Sequence, residues 1–168
     1  MTEQERRRLI EEAESWLGTP YWYGASLKSI GVDCSHLVVA VLQEVGYLRG
    51  VVIPSLPPDW HLHARRELLL EGLRQHCDEV REPWQVGDIL VYRKHGAMAN
   101  HCGLYVGDGR FVHAASGGPV RYEKVSRFPS RHRFVAAFRV RGADKEPAGG
   151  ALQEAGDVVL YGRREVVV

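Results

Sequence analysis

The chain has 168 residues, of which 45% are apolar and 26% charged, ordinary values for one globular domain with its own core. Lys plus Arg total 22 against 21 for Asp plus Glu, and this balance excludes the one-sided basic surface that nucleic-acid binding uses. The three cysteines are too far apart for a CxxC metal or redox motif, and their odd number does not fit a disulfide framework.

The N-terminal segment MTEQERRRLIEEAESWL is charged and amphipathic, without the apolar core of a signal peptide. No apolar run approaches the roughly 20 residues that a membrane-spanning helix needs. We therefore expect a chain that has no membrane span and is cytoplasmic as synthesised, unless a route other than a signal peptide exports it.

Helical signals dominate the first half of the chain. A capping box at Thr2 and Glu5 predicts a first helix that ends at Gly18. Another helix is predicted over residues 61–80 from its apolar spacing. Its candidate buried positions are Leu62, Leu69, Leu73 and Cys77.

After Pro83 the pattern changes to short β-like runs between turn residues: DILVYR, HCGLYVG, RFVHAA, PVRYEKV and RFVAAFRV. Helices followed by an antiparallel meander of strands predict an α+β domain, which we assign to residues 1–141. Residues 142–168 are predicted to be a linker and a C-terminal β extension. The runs DVVLY and EVVV there could form a hairpin or pair with another chain.

A helix between these regions is predicted to begin at Asp33 or Cys34 and to end at Gly46. Cys34 lies at the head of its apolar stripe, with Asp33 as the N-cap candidate. Unpaired N–H groups and the helix dipole favour a thiolate there, although a buried structural cysteine is the competing interpretation. His36 lies ~200° around the helix from Cys34, so we expect solvated surface rather than a base.

A cysteine nucleophile needs a base within reach and a third polar group that orients the base. His101 opens a predicted strand, and His113 lies on the next one. Cys102 follows His101 directly, but alternation along a strand directs it to the opposite face, so we expect a core residue.

Whether the two histidines share a face depends on the turn between their strands. A three-residue loop over 107–109 with a bulge would pair Val106 with Arg110. This register sets His113 opposite Gly103, on the face of His101. A two-residue Asp108-Gly109 turn would instead pair His113 with Leu104, on the other face.

Two stretches carry a family resemblance. GTPYWYGASLKSIGVDCSHLV resembles the cysteine-box region of the NlpC/P60 cell-wall peptidases, and GDILVYR followed by ANHCGLYVGDGRFVHA resembles their histidine region. The match runs from about Glu12 to Arg139. The stretches IPSLPPDW, ELLLEGLRQH and VAAFRV are closer to the short bacteriophage cell-wall peptidase branch.

The resemblance implies a papain-like α+β fold and hydrolysis of peptidoglycan stem-peptide amides, typically between D-γ-glutamyl and a diamino acid, without metal or cofactor. It implies Cys34 as nucleophile, His101 as base and His113 as the third member. In this family a tyrosine before the cysteine helps to stabilise the oxyanion. Tyr21 matches it best, with Tyr23 as a weaker substitute because the chain has one extra residue between Tyr21 and Cys34.

Residues beside the nucleophile complete the expected site. The resemblance implies that Asp33 and Ser35 line the acceptor side of the cleft, although a helix cap explains Asp33 without any substrate. His36 stands where the family commonly has Gly. The implied partners are a peptidoglycan peptide and, from the bacteriophage branch, tail or other assembly proteins, with virion association or release to the cell wall as destinations.

Three other functions stay open at this point. The first is related thiol chemistry on another amide, a thioester or an acceptor amine. The second is a phage-tail assembly module that keeps the fold without turnover. The third is a zinc site made from Cys34, His101 and His113, with His61 and His63 as further ligands.

Overall fold

Helices occupy the first half of the described chain and strands the second, which confirms the predicted α+β class. The computed structural model describes residues 1–94, 96–128 and 132–142, together with the backbone of Val158–Val159. The helices are α1 (Glu3–Glu14), α2 (Cys34–Glu44), α3 (Trp60–His63) and α4 (Leu68–His76). The strands are β1 (Ser26–Leu27), β2 (Gly31–Val32), β3 (Val51–Val52), β4 (Cys77–Val80), β5 (Ile89–Arg93), β6 (His101–Gly107), β7 (Arg110–His113), β8 (Arg121–Lys124), β9 (Arg133–Val140) and β10 (Val158–Val159).

The main sheet has six strands in the order β4-β9-β5-β6-β7-β8, and every neighbouring pair is antiparallel. Helix α2 packs on β6 and α1 packs on α2, so one sheet face forms the larger core. A smaller, mainly aromatic core covers the other face. Its buried members are Leu90, Tyr92, Phe111, Phe128 and Ala137.

Helix α1 begins with the predicted capping box. The Glu5 amide donates to Thr2 Oγ1 over 3.2 Å, and the Thr2 amide donates to the Glu5 carboxylate over 2.6 Å. The helix ends at Glu14, earlier than predicted, because the Leu17 amide bonds back three residues to Glu14 and tightens the chain into a turn. This turn runs on to Gly18, whose φ of 84° suits glycine.

The predicted single helix over 61–80 is wrong in two places. Ala64 is extended, with ψ of 137°, and this separates α3 from α4. Cys77–Val80 then leave the helix and pair with β9 as an outer strand of the sheet. Leu62 is 61% exposed as a result, contrary to its predicted burial. The other three predicted core positions, Leu69, Leu73 and Cys77, are buried.

The β6–β7 turn differs in detail from the predicted loop but gives the predicted register. Gly107, not Val106, pairs with Arg110, so the turn proper is Asp108-Gly109 with φ of 51° and 66°. The register shifts between Tyr105 and Gly107, as expected when one residue bulges out. The two-residue turn alone would direct His113 to the other face of the sheet. The bulge shifts the register by one residue and returns His113 to the face of His101.

The C-terminal extension is described at only one place. Val158–Val159 pair in parallel with Val51–Val52 of the same chain, a partner that the sequence did not predict. The EVVV run and most of the predicted linker lie outside the described residues. Within the described part of the chain, no helix is long and apolar enough to cross a membrane.

Candidate active site

The start of α2 is built around the buried carboxylate of Asp33, which confirms the predicted N-cap. Its Oδ1 accepts from the His36 amide over 2.9 Å, and its Oδ2 accepts from the Gly24 amide over 2.8 Å. The second bond ties the preceding loop to the helix, so Cys34 enters the first turn in a fixed position. The helix is anchored by its buried stripe, which includes Leu37, Val38, Val41 and Leu42.

His36 is not the solvated residue that the sequence predicted. Its Nδ1 lies 2.9 Å from Asp33 Oδ1, and only 20% of its side chain is exposed. Asp33 and His36 are three residues apart, so the His36 ring can reach back to the Asp33 carboxylate at the N-cap. The angle of His36 on the helical wheel does not show this contact. His36 consequently lines the cleft beside Cys34.

Cys34 is half-buried in this cleft, and His101 lines the same cleft. His101 is buried at the first position of β6, and its Nε2 lies 2.8 Å from Nδ1 of His113 on β7. Because Nε2 faces His113, the other ring nitrogen of His101 is available to Cys34. The structure therefore places Cys34 and His101 in one cleft, with His113 in contact with His101.

The proton positions on the two histidines follow from burial. Burial, followed by the neighbouring His101, lowers the pKa of His113 to about 2, so His113 is neutral at ordinary pH. Its Nδ1 can then accept the Nε2–H of His101, and its own proton is on Nε2. Within the described residues that Nε2 is buried without a hydrogen-bond partner.

Aromatic packing holds both rings in place. His101 stacks on Phe128 with ring centroids 5.5 Å apart, and His113 meets Phe128 edge-on at 5.2 Å. Gly103, opposite His113, has no side chain and so leaves room for Phe111 and His113. A Cβ added there would lie 2.5 Å from the Phe111 ring and 3.0 Å from the Cβ of His113. Phe128 was not predicted, because its distance in sequence from both histidines gives no local signal.

Cys102 belongs to the site as well as to the core. It is buried on the α2 side of β6, as predicted, but it also lies close to the Cys34 end of α2. The Ser35 hydroxyl lies 3.9 Å from each of the two sulfur atoms. Strand alternation directs Cys102 to the sheet face opposite His101, and the sequence analysis therefore expected a core residue with no part in the site. Cys34 begins the apolar stripe of α2 that packs on β6. This position was the sequence signal that could have predicted Cys102 near Cys34.

The surroundings of Cys34 affect the charge on its sulfur. The neighbouring Cys102 thiol, then the His101 imidazole, lowers the pKa of the Cys34 thiol well below its ordinary value, against the opposing effects of burial and Asp33. The neighbouring Cys34, together with burial, raises the pKa of Cys102 well above its ordinary value. Of the two thiols, Cys34 is therefore the one that loses its proton more readily.

The two candidate tyrosines differ in what their hydroxyls contact. The Tyr23 hydroxyl donates to the Pro57 carbonyl over 3.2 Å. The hydroxyl of Tyr21 has no hydrogen-bond partner in the part of the chain that the structure describes. Burial, followed by the Cys34 charge, raises the pKa of Tyr21 well above its ordinary value. Tyr21 is thus a neutral phenol near the sulfur with a donor to offer.

The cleft itself has a volume of about 610 Å³. One part is apolar, with Ile53, Leu56 and Trp60 in its wall, and another part is polar around Lys94 and Ser116. Asp33 and Ser35 are among the residues that line the cleft. Both oxygens of Asp33 already accept hydrogen bonds from the protein, so its presence is accounted for by the helix cap.

The alternative zinc site has no support in this geometry. His101 Nε2 and His113 Nδ1 face one another at hydrogen-bond distance, whereas zinc ligands direct their nitrogens at the metal from about 2.0–2.1 Å. His63 hydrogen-bonds to Asp59, while His61 lines the cleft. Among the described residues, no group of three or more His, Cys, Asp or Glu is arranged to hold a metal ion.

A cysteine at a helix start, facing two strand histidines in an α+β fold, defines the class of papain-like thiol hydrolases. This chain belongs to the NlpC/P60 family, whose family model matches residues 18–139. The matched range includes Cys34, His101 and His113. It ends one residue before the end of β9.

Curated relatives of the chain are named as hydrolases and endopeptidases. The gamma-DL-glutamyl hydrolase of Bacillus subtilis (strain 168) is 30% identical over 120 residues, which are 70% of this chain and 24% of that protein. The murein DD-endopeptidase MepH of Escherichia coli (strain K12) is 29% identical over 126 residues, 74% of this chain and 42% of that protein. The chain therefore spans less than half the length of these two relatives.

Solved structures of the family share the fold. NlpC2 from Trichomonas vaginalis has a TM-score of 0.62 at 20% identity, covering 83% of this chain and 48% of that one. The NlpC/p60 domain of the peptidoglycan hydrolase SagA has a TM-score of 0.55 at 22% identity, covering 79% of this chain and 96% of that one. These matches do not test the bacteriophage branch, which stays a prediction.

Proposed function

We propose that this chain is a cysteine peptidase that hydrolyses amide bonds of peptidoglycan stem peptides through an acyl-enzyme on Cys34. The observation that carries the proposal is that Cys34, at the start of α2, and His101 line the same cleft, with His101 Nε2 2.8 Å from His113 Nδ1. These three residues supply a nucleophile, a base in the same cleft and a neutral acceptor behind the base.

In the first half of the reaction the Cys34 thiolate attacks the carbonyl carbon of the amide. His101, as the imidazolium, donates its proton to the leaving amine, and a thioester to Cys34 forms. Neutral His101 then takes a proton from water, and the hydroxide attacks the thioester. The acid product leaves, and Cys34 returns to the thiolate. Throughout, Nδ1 of His113 accepts from His101 and keeps the ring in one orientation.

The oxyanion formed at each attack needs donors. The backbone N–H of Cys34, at the start of α2, is one candidate, and the Tyr21 hydroxyl is the other. Tyr21 is preferred to Tyr23 because the Tyr23 hydroxyl already donates to Pro57, 34 residues along the chain. Each such donor is worth about 3 kcal/mol in related acyl transfers.

The bond that we propose is a γ-glutamyl amide, as in a D-γ-glutamyl–diamino acid link. One relative is named for γ-glutamyl hydrolysis, and the charge in the cleft supports the same choice. A γ-linked glutamyl residue leaves its α-carboxylate free near the scissile bond. Lys94 lines the cleft with its Nζ 3.1 Å from Ser116 Oγ and has no ion pair with a described carboxylate. It is therefore a suitable cation for that group.

Substrate contacts by Asp33 and Ser35 stay part of this proposal, as do the assembly partners and destinations implied by the bacteriophage branch. Residues 1–141 are proposed as the catalytic unit. Related chemistry at the same thiolate, on another amide or with an amine as acceptor, would use the same three residues.

Defined muropeptides provide the direct test, with the Cys34→Ala variant as control. We expect the wild-type protein to release products cut at the γ-glutamyl bond and the variant to release none above background. Cleavage elsewhere in the stem peptide would contradict the proposed bond. No cleavage of any muropeptide by a folded protein would contradict the peptidase proposal itself.

A further inference from the structure

His36 lies in the candidate site although it has no part in the proposed reaction. The four successive residues from Asp33 to His36 all line the cleft. The cleft therefore opens over the N-terminal end of α2, where side chains that leave the helix in different directions can reach one ligand. Along the helix axis Cys34 and His36 are only about 3 Å apart, so a peptide that crosses this end to the nucleophile can also reach the imidazole.

A hydrogen bond to the Asp33 carboxylate fixes the direction of the His36 ring. The ring Nδ1 lies 2.9 Å from Asp33 Oδ1, and because a carboxylate can only accept, Nδ1 carries the proton and donates it. In its neutral form the ring then has its lone pair at Nε2, on the opposite edge of the imidazole. The side chain lines the cleft and is 20% exposed, so Nε2 is the ring nitrogen that can meet a ligand.

The pair of Asp33 and His36 favours a cationic ligand. With a neutral imidazole the pair has the single negative charge of the carboxylate. Asp33 is buried, and its oxygens already accept from the Gly24 amide and from both the amide and Nδ1 of His36, so a ligand meets the imidazole and not the carboxylate. Lys94, directly after β5, gives the same cleft a positive charge. Together these charges complement a substrate that has both a free carboxylate and a free amine.

We propose that His36 is a substrate-binding residue whose Nε2 accepts a hydrogen bond from the side-chain ammonium of the diamino acid in the peptide. This inference rests on the proposed function, because a γ-glutamyl–diamino acid bond leaves that amine free. His36 takes no part in the proton transfers of His101. It recognises the leaving-group side of the scissile bond by charge, and Asp33 positions its ring.

The chain contains a matched control for this pair. His63 Nε2 lies 3.1 Å from Asp59 Oδ2, but both of these side chains are more than half exposed. Of the two histidines, only His36 lines the cleft. Replacement of either by Ala therefore breaks the same type of imidazole–carboxylate contact, and only His36→Ala removes an acceptor from the cleft. His36→Phe keeps a ring of similar size without a nitrogen.

The test is peptide binding by isothermal titration calorimetry, with Cys34→Ala in every protein so that the peptide stays intact. The probes are N-acetyl-γ-D-glutamyl-L-lysine amide, whose one amine is on the lysine side chain, and the same peptide acetylated on that amine. For the free amine we expect His36→Ala and His36→Phe to raise Kd about tenfold, because a charge-assisted hydrogen bond is lost. The acetylated peptide should bind to these variants as it does to the parent. His63→Ala should leave both Kd values unchanged.

An unchanged Kd for the free amine in the His36 variants, or an equal rise for both peptides, would overturn the proposal. So would a rise in His63→Ala as large as that in His36→Ala. If His36→Ala does not fold, His36→Phe decides. A protein that selects the free amine through His36 but cleaves no muropeptide would keep this inference and contradict the peptidase function. One that cleaves muropeptides but binds both peptides alike would do the reverse.

Discussion

At the scale of single residues, the site depends on protons being held in defined places by burial. The surroundings of Cys34 favour its thiolate, whereas burial keeps Tyr21 protonated and His113 neutral. In the proposed reaction His101 is consequently the group that moves a proton. Three predictions concern individual side chains around it.

The first prediction concerns stability and His113. Its pKa in the folded protein is about 2, below its ordinary 6.5, so between these values the unfolded chain binds a proton that the native protein does not. Stability should therefore fall as the pH drops below about 6.5. The His113→Asn variant lacks this effect. Urea unfolding of both proteins at pH 7 and 4.5 should show wild type losing about 2 kcal/mol more than the variant. Parallel losses would contradict the neutral buried state.

The second prediction concerns the oxyanion. Tyr21→Phe removes a hydroxyl that faces the cleft, so we expect kcat to fall about 100-fold with little change in KM. Tyr23→Phe is the matched control, because its hydroxyl donates to a backbone carbonyl. Steady-state hydrolysis of one muropeptide by both variants is the measurement. A larger loss in Tyr23→Phe would reverse the assignment.

The third prediction concerns the cation of the cleft. Lys94→Met should raise KM about tenfold for a γ-glutamyl substrate with a free α-carboxylate, and it should leave kcat nearly unchanged. The control is the same peptide with that carboxylate converted to an amide, on which wild type and variant should act alike. An equal effect on both substrates would show that Lys94 does not bind the carboxylate.

At the scale of elements, the close approach of β6 and β7 sets the distance between the two histidines. Gly103→Ala would place a Cβ 2.5 Å from the Phe111 ring and 2.9 Å from the Val112 carbonyl oxygen. We expect a loss of about 1–3 kcal/mol in unfolding free energy and a disproportionate loss of activity, because the His113 strand must move. Gly118→Ala is a mild control, since its Cβ would meet only the Arg121 side chain. Thermal melts with activity assays measure both effects.

The apolar periodicity, together with the capping and turn residues, predicted several of the helices and strands. The capping box of α1, the Asp33 cap of α2 and five strands of the main sheet follow from local pattern. The break at Ala64 and the conversion of Cys77–Val80 to a strand do not, because β9, far along the chain, supplies the pairing. For the site, Cys34 and the two histidines could be named from position and spacing. Cys102 and Phe128 lie near the site because of packing between elements, and residue spacing along the chain does not predict that packing.

At the scale of the whole molecule, the described structure concentrates its core in residues 1–142. The six-stranded sheet and the cleft lie within this range, whereas Val158–Val159 pair with Val51–Val52, outside that sheet. We therefore expect a chain ended after Gly142 to unfold cooperatively and to keep wild-type kcat. Circular-dichroism melts and muropeptide hydrolysis are the measurements. A truncated chain that aggregates or loses activity would mean that the catalytic unit extends beyond residue 142.

The placement of His101 and Cys102 on successive positions of β6 has a consequence for how the sequence can vary. One peptide bond separates the proposed base, His101, from the buried thiol of Cys102, and the two side chains leave the strand on opposite faces. Loss or gain of a single residue at the start of this strand would exchange the faces of the two side chains. The Cys102 sulfur would then point towards Phe128, and the His101 imidazole would face α2. Insertions and deletions at this point of the chain should therefore abolish activity, even where the protein still folds.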